Sequence, residues 1–152
     1  MAQDEIQPIP YLIFTLGSYQ YGLPISHVIE VAAMVELVET SGSSPVFLGV
    51  ANRHGSVLPM LDLRMVFGQA RTPIDTSTLF VVAQYEGTQV GLIVGEIQQI
   101  VYLESGKLRQ SENDVKYVQG IITRQERIVQ LVALPSLIAE FVPQHMLESS
   151  LS

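Results

Sequence analysis

Cysteine is absent from the 152 residues, which removes disulfide frameworks, thiolate zinc sites and cysteine nucleophiles together and fits a reducing compartment. Basic residues are scarce as well. Eight Lys and Arg stand against 15 Asp and Glu, for a formal charge of -7, and no stretch gathers them into the basic surface that phosphate contacts require. Nucleic acid is therefore not an expected partner, and neither is an anionic membrane. No apolar run approaches the roughly 20 residues of a bilayer span, so no direct membrane insertion is expected. The amino-terminal MAQDEIQPIP carries acids and lacks the apolar core of a secretory signal. The expected location is the cytoplasm. Catalytic signatures are missing too: HExxH, GxSxG, P-loop and dinucleotide glycine patterns do not occur. The histidines His27, His54 and His145 are widely spaced, and a His54 to Asp62 dyad would span a whole strand at roughly 3.3 Å per residue. No enzymatic activity, cofactor or metal is expected.

What is present is apolar. Residues of that class make up 47% of the chain and charged ones 15%, a balance that excludes a highly charged disordered protein and supports one domain or two small subdomains sharing a core. Long 3.6-residue periodicity is lacking. Tyr11–Leu16, Leu79–Tyr85, Val90–Val94 and Ile128–Val132 are short runs rich in β-branched or aromatic residues, bounded by turn formers such as Gly17-Ser18 and Glu86-Gly87. Many short strands with tight turns predict barrels or a sandwich. Helical turns are expected after Pro24, at the end of Gly49–Gly68, and over Pro135–Phe141, where Leu137, Ile138 and Phe141 share a face.

The chain also matches itself. A shift of 71 residues lays Gly49–Leu63 on Gly120–Leu134, pairing Arg53 with Arg124 and apolar positions with apolar ones. A shift of 69 lays Tyr21–Val31 on Val90–Ile100, pairing Gly22-Leu23 with Gly91-Leu92. Two similar offsets in the same order predict one duplicated unit, folded as a pair of small barrels with apolar faces together.

Gly49–Gly68 reads as strand, tight turn, strand and short helical turn, with Arg53-His54-Gly55 as a polar tip on an apolar hairpin. Asp62 is placed to cap the turn that follows it, with Arg64 as a local partner. This block, Gly49-x-x-Asn52-x-x-Gly55-x-x-x-Pro59-x-x-Asp62-Leu63-Arg64-x-x-Phe67-Gly68, resembles the most characteristic segment of CheW-like domains. FTLGSYQYGLPISHVIEV, residues 14–31, resembles the opening of that family, and Thr78–Val82 with Val90–Val94 resemble its second half. The resemblance implies an all-β fold of two interlocked SH3-like five-stranded barrels, with short helical turns and a short carboxy-terminal helix. It covers a single domain, residues 11–142, between flexible tails at 1–10 and 143–152. It further implies a chemosensory coupling protein, in chemotaxis or a related taxis or twitching system. Such a protein joins the cytoplasmic tip of methyl-accepting receptors to the regulatory domain of a CheA-type histidine kinase.

The partner surfaces so implied involve Val28, Glu30, Leu79 and Phe80 at the subdomain junction, and Asn52, Arg53, His54 and Gly55 at the hairpin tip. Val28 and Glu30 share a face if their segment is extended, while Asn52 and Gly55 also have turn roles. The chain departs from the family in two places. His54 stands where the family has arginine and Arg53 where it has leucine, so a permanently charged fork is replaced by a titratable ring. Substitution by Arg53 from one position earlier requires a changed turn; the alternative is a partly uncoupled copy. Ala133 stands where the family often has aspartate. From another class, the competing expectation is a small enzyme or ligand-binding barrel, which needs convergent polar groups between the repeats.

Overall fold

The computed structural model describes residues 7–104 and 116–149. The first half runs β1 (Pro8–Leu16), β2 (Tyr19–Pro24), a single 3-10 turn (Ile25–His27), β3 (Val28–Ala33), β4 (Leu37–Val38), β5 (Phe47–Arg53), β6 (Ser56–Asp62) and α1 (Leu63–Val66). The second half runs β7 (Leu79–Tyr85), β8 (Thr88–Ile93), β9 (Ile97–Glu104), β10 (Val118–Arg124), β11 (Arg127–Val132), α2 (Leu134–Phe141) and α3 (Gln144–Ser149). Two-residue loops close the hairpins. In three of them both loop residues have positive φ: His54 52° and Gly55 81°, Glu86 50° and Gly87 86°, Gln125 53° and Glu126 64°. Those mirror-image turns match the right-handed twist of the strands they join.

The strands form two sheets, and the halves exchange strands between them. One sheet has the order β10-β11-β2-β1-β9 and the other β3-β7-β8-β6-β5-β4. Each barrel thus takes its first hairpin from one half and the remaining strands from the other, which is why the two are interlocked. The duplication extends to irregularities. Phe14 pairs with Ile97 and Ala83 with Val28, equivalent positions at the 69-residue shift, and a bulge follows in both β9 and β3. The β5–β6 and β10–β11 hairpins share a second bulge, before Gly49 and before Gly120. At Gly49 the backbone has φ 128° and a Cβ would lie 2.3 Å from the Val38 carbonyl oxygen. Only glycine lets β4 approach so closely. That strand makes the second sheet six-stranded rather than five.

Strands buried on both faces explain the near-continuous apolar runs. Tyr11 and Ile13 point into the first barrel with Val101, Ile122 and Leu131, while Leu12, Phe14 and Leu16 point into the layer between barrels. In the second barrel Phe80 and Val82 pack inward on Met60, Leu58 and Ile93, and Val81 and Ala83 face the shared layer. That layer, with Phe47, Leu61, Leu63 and Leu92, is the largest buried cluster.

The ends correct the expected tails. β1 begins at Pro8, and Pro8–Pro10 pair with Tyr102–Glu104 of β9. The prolines are tolerated because pairing with β2 starts only at Tyr11, so this stretch bonds on one side. At the other end α3 occupies residues expected as tail, with Met146 and Leu147 half-buried against the shared layer. Residues 1–6 and 150–152 of those tails lie outside the described residues.

Candidate functional site

The hairpin tip is built by its own backbone. Asn52 Oδ1 accepts the Gly55 N–H at 3.2 Å, and His54 and Gly55 supply the two positive φ values. Asn52 and Gly55 thus shape the tip on which Arg53 and His54 are displayed. Arg53 turns back across the barrel. Its Nε donates to Glu30 Oε2 at 2.8 Å, and a terminal nitrogen stands 2.5 Å from the same oxygen. Since β3 and β5 lie in the same sheet without being neighbours, this pair ties the sheet across its open side. His54 projects beyond it, with Nε2 4.0 Å from Glu30 Oε2. The structure therefore brings together Glu30, Arg53 and His54, which the sequence had divided between two surfaces.

Val28 and Glu30 do not share a face. The bulge at Ile29 sets Val28 against Ala83 and Glu30 against Val82, and those neighbours on β7 face the shared layer and the barrel interior respectively. Val28 joins the shared layer, while Glu30 turns to Arg53. Phe80 requires a correction as well. It is 2% exposed, inside the second barrel, and offers nothing to a partner. Leu79, the residue before it, is 39% exposed and pairs with Ala33. Together with exposed Val31 and Ala33, which lie on the same face, it forms an apolar stripe on β3 and the start of β7, with exposed Ile29 at the bulge. Sequence reasoning missed Ile29, Val31 and Ala33. The signal was there in the repeat of apolar residues through Val35, but the bulge that flips the alternation was not.

Leu79 also borders a groove of about 600 Å³ at the junction of the barrels, with Thr15, Gly95 and Ile97 on its other wall. The charged groups near its floor are bonded to one another. Fully buried Asp62 caps α1 through the Arg64 N–H at 3.1 Å and accepts Arg64 Nε at 2.9 Å and Arg71 Nε at 3.1 Å. Arg64 also donates to Thr72 Oγ1 at 2.8 Å, and Arg71 donates to the Pro45 carbonyl. Capping by Asp62 is as the sequence predicts, but the carboxylate serves two guanidinium groups rather than one. In the second half the equivalent of Asp62 is Ala133, and Pro135 and Val142 stand where Arg64 and Arg71 would be. A carboxylate at Ala133 would thus lack the equivalents of both cations that Asp62 bonds. Among the described residues no three His, Cys, Asp or Glu side chains converge as a metal-binding group.

Two strand-exchanged β barrels that expose an apolar stripe beside a groove, and a charged hairpin tip near it, define a protein built to present recognition surfaces. The chain belongs to the CheW-like domain family, whose model matches residues 10–142 and so spans both barrels. It is similar to chemotaxis protein CheW of Klebsiella aerogenes, 27% identical over 134 residues that cover 85% of this chain and 81% of that one. Chemotaxis protein CheW of Helicobacter pylori is 19% identical over 142 residues, covering 90% and 85%. The fold is that of the scaffolding protein TtCheW from Thermoanaerobacter tengcongensis, with a TM-score of 0.75 at 20% identity, covering 87% of this chain and 88% of that one.

Proposed function

We propose that this chain is a cytoplasmic, non-enzymatic coupling adaptor of a chemosensory system, linking methyl-accepting receptors to a CheA-type histidine kinase. The match of the family model across both barrels carries the reading. The apolar stripe of Val31, Ala33 and Leu79 beside the groove suits the apolar face of a helical hairpin, which is the form of a receptor's cytoplasmic tip. The tip of Asn52, Arg53, His54 and Gly55, backed by Glu30, suits a regulatory domain of like fold. In this division the receptor is held by area and the kinase by a charged, shape-defined contact at the rim.

The adaptor catalyses nothing; its work is thermodynamic. Receptor and kinase joined through one rigid body influence each other only if each binds the other's two states with different free energy. The shared apolar layer supplies that rigidity, because strands from both halves enter each barrel and neither barrel moves without the other. Pulldown with a CheA-type regulatory domain tests the proposal. Binding at micromolar concentration is expected, weakened by Arg53→Glu, and no retention at high micromolar concentration would overturn it.

A further inference from the structure

The groove between the barrels has two unlike walls. One is stitched by backbone: the Thr15 N–H donates to the Glu96 carbonyl at 2.8 Å and the Gly95 N–H to the Thr15 carbonyl at 2.9 Å. The other, with Gln69, Thr72, Ser77 and Thr78, belongs to the loop between α1 and β7. Ile74 and Thr76 of the same loop border a second cavity, of about 460 Å³, with Met34 and Leu37. A loop with open space on two sides has few packing contacts to fix it. Among the described residues, its side-chain hydrogen bonds to the rest of the chain come from Arg71 and Thr72 alone. Both lead to Asp62. Thr72 Oγ1 accepts from Arg64 Nη1 at 2.8 Å, and Asp62 holds that guanidinium through Nε at 2.9 Å and Nη2 at 3.0 Å. The barrel itself does not require this set. At the 71-residue shift Asp62, Arg64, Arg71 and Thr72 become Ala133, Pro135, Val142 and Pro143. The second half closes the like hairpin without them and runs on as α2, with Leu137 and Ile138 buried.

We propose that Arg64 and Thr72 are positioning residues for the groove, their hydrogen bond holding the loop wall where the receptor tip meets it, with Asp62 as the anchor. The proposal rests on the adaptor reading above, in which that tip lies along the stripe beside the groove. A loop already pinned loses little freedom on binding. An unpinned one must be ordered by its partner, and the entropy lost lowers the affinity.

The test is titration calorimetry of a receptor cytoplasmic tip, and separately of a CheA-type regulatory domain, against the full chain and its Thr72→Val, Thr72→Ser and Arg64→Lys variants. Thr72→Val keeps the shape and removes the acceptor. It should weaken the receptor tip about two- to tenfold, the worth of one hydrogen bond, and leave the kinase domain unchanged. Thr72→Ser should restore the wild-type value. Arg64→Lys, a cation without the fork, should weaken the tip as well, and adding Thr72→Val to it should cost little more because both break one bond. Tip binding by Thr72→Val equal to wild type, or a loss shared by the kinase domain, overturns the positioning role and leaves the adaptor reading standing. No tip binding by wild type at high micromolar concentration overturns the receptor assignment and this inference with it. Because Thr72 itself borders the groove, hydrogen exchange without partner separates pinning from direct contact. Residues 69–78 should exchange faster in Thr72→Val while β1 and β9 stay unchanged, and unaltered exchange in that loop would overturn the pinning.

Discussion

Breaking the Glu30–Arg53 pair tests the least expected part of the site. Two Arg53 nitrogens converge on Glu30 Oε2 at 2.8 and 2.5 Å, with the arginine side chain 19% exposed and the glutamate 40%. At about 3 Å the Coulomb attraction is roughly 1.4 kcal/mol in bulk water and about twice that at half the dielectric constant. Ordering two long side chains offsets much of it, and exposed pairs generally keep about 0.2–1 kcal/mol. Because Arg53 is mostly covered, the coupling should lie at the upper end, about 1 kcal/mol. The assay is a double-mutant cycle of Glu30→Ala and Arg53→Ala read by urea unfolding. Arg53→Ala should cost more than Glu30→Ala, since it also removes the packed side-chain stem. The double variant should lose about 1 kcal/mol less than the sum of the singles, a difference of roughly 2–4 °C in Tm for a chain of this size. Losses that add within about 0.3 kcal/mol at low salt would refute the pairing. The placement of Glu30 at the tip would then fall as well.

Phe80→Ala should cost about 3–5 kcal/mol in unfolding free energy, whereas Leu79→Ala should cost under about 1 kcal/mol and act on receptor-tip binding instead; similar costs for both would contradict their opposite faces. Glu126, held at φ 64° in a two-residue turn, should give a protein about 1 kcal/mol more stable when replaced by Gly, measured by urea unfolding. Asp75 accepts the Ser77 N–H at 2.9 Å and the Ser77 hydroxyl at 2.6 Å, and these bonds hold its carboxyl below the ordinary value of 3.8. The folded chain therefore takes up that proton less readily than the unfolded one, so the contribution is complete above that value and disappears as pH falls through the lowered one. Asp75→Asn should be less stable than wild type at neutral pH, with the gap closing on acid titration; a gap independent of pH would contradict the cause.

Fold was legible wherever local chemistry decided the outcome. Gly87 and Gly55 marked turns, Pro135 marked the start of α2, and Asp62 marked the cap of α1, because each residue type has few other uses. Repeat offsets further predicted two barrels, since strands buried on both faces preserve their apolar pattern. What sequence could not supply was anything set by register. A single bulge at Ile29 set Val28 on the face of Val31 and Ala33 and turned Glu30 to the other, which undid the surface expected from Val28 with Glu30. Likewise Phe80 and Leu79 read alike as apolar neighbours, and only their opposite sides of the sheet separate core from surface. The Glu30–Arg53 contact joins residues 23 apart through barrel curvature, which no local pattern encodes. At the Arg53-His54 departure it is Arg53, one position before His54, that bonds Glu30.

Assembly of the ternary complex addresses the central claim most directly. Purified chain, a CheA-type regulatory domain and a receptor cytoplasmic tip should co-elute on size exclusion as a three-component species. Val31→Asp with Leu79→Asp should remove the receptor and leave the kinase domain bound, while Arg53→Glu should remove the kinase domain and leave the receptor. Binding of neither partner at high micromolar concentration, or loss of both partners from either surface variant while it stays folded, would contradict a two-surface adaptor.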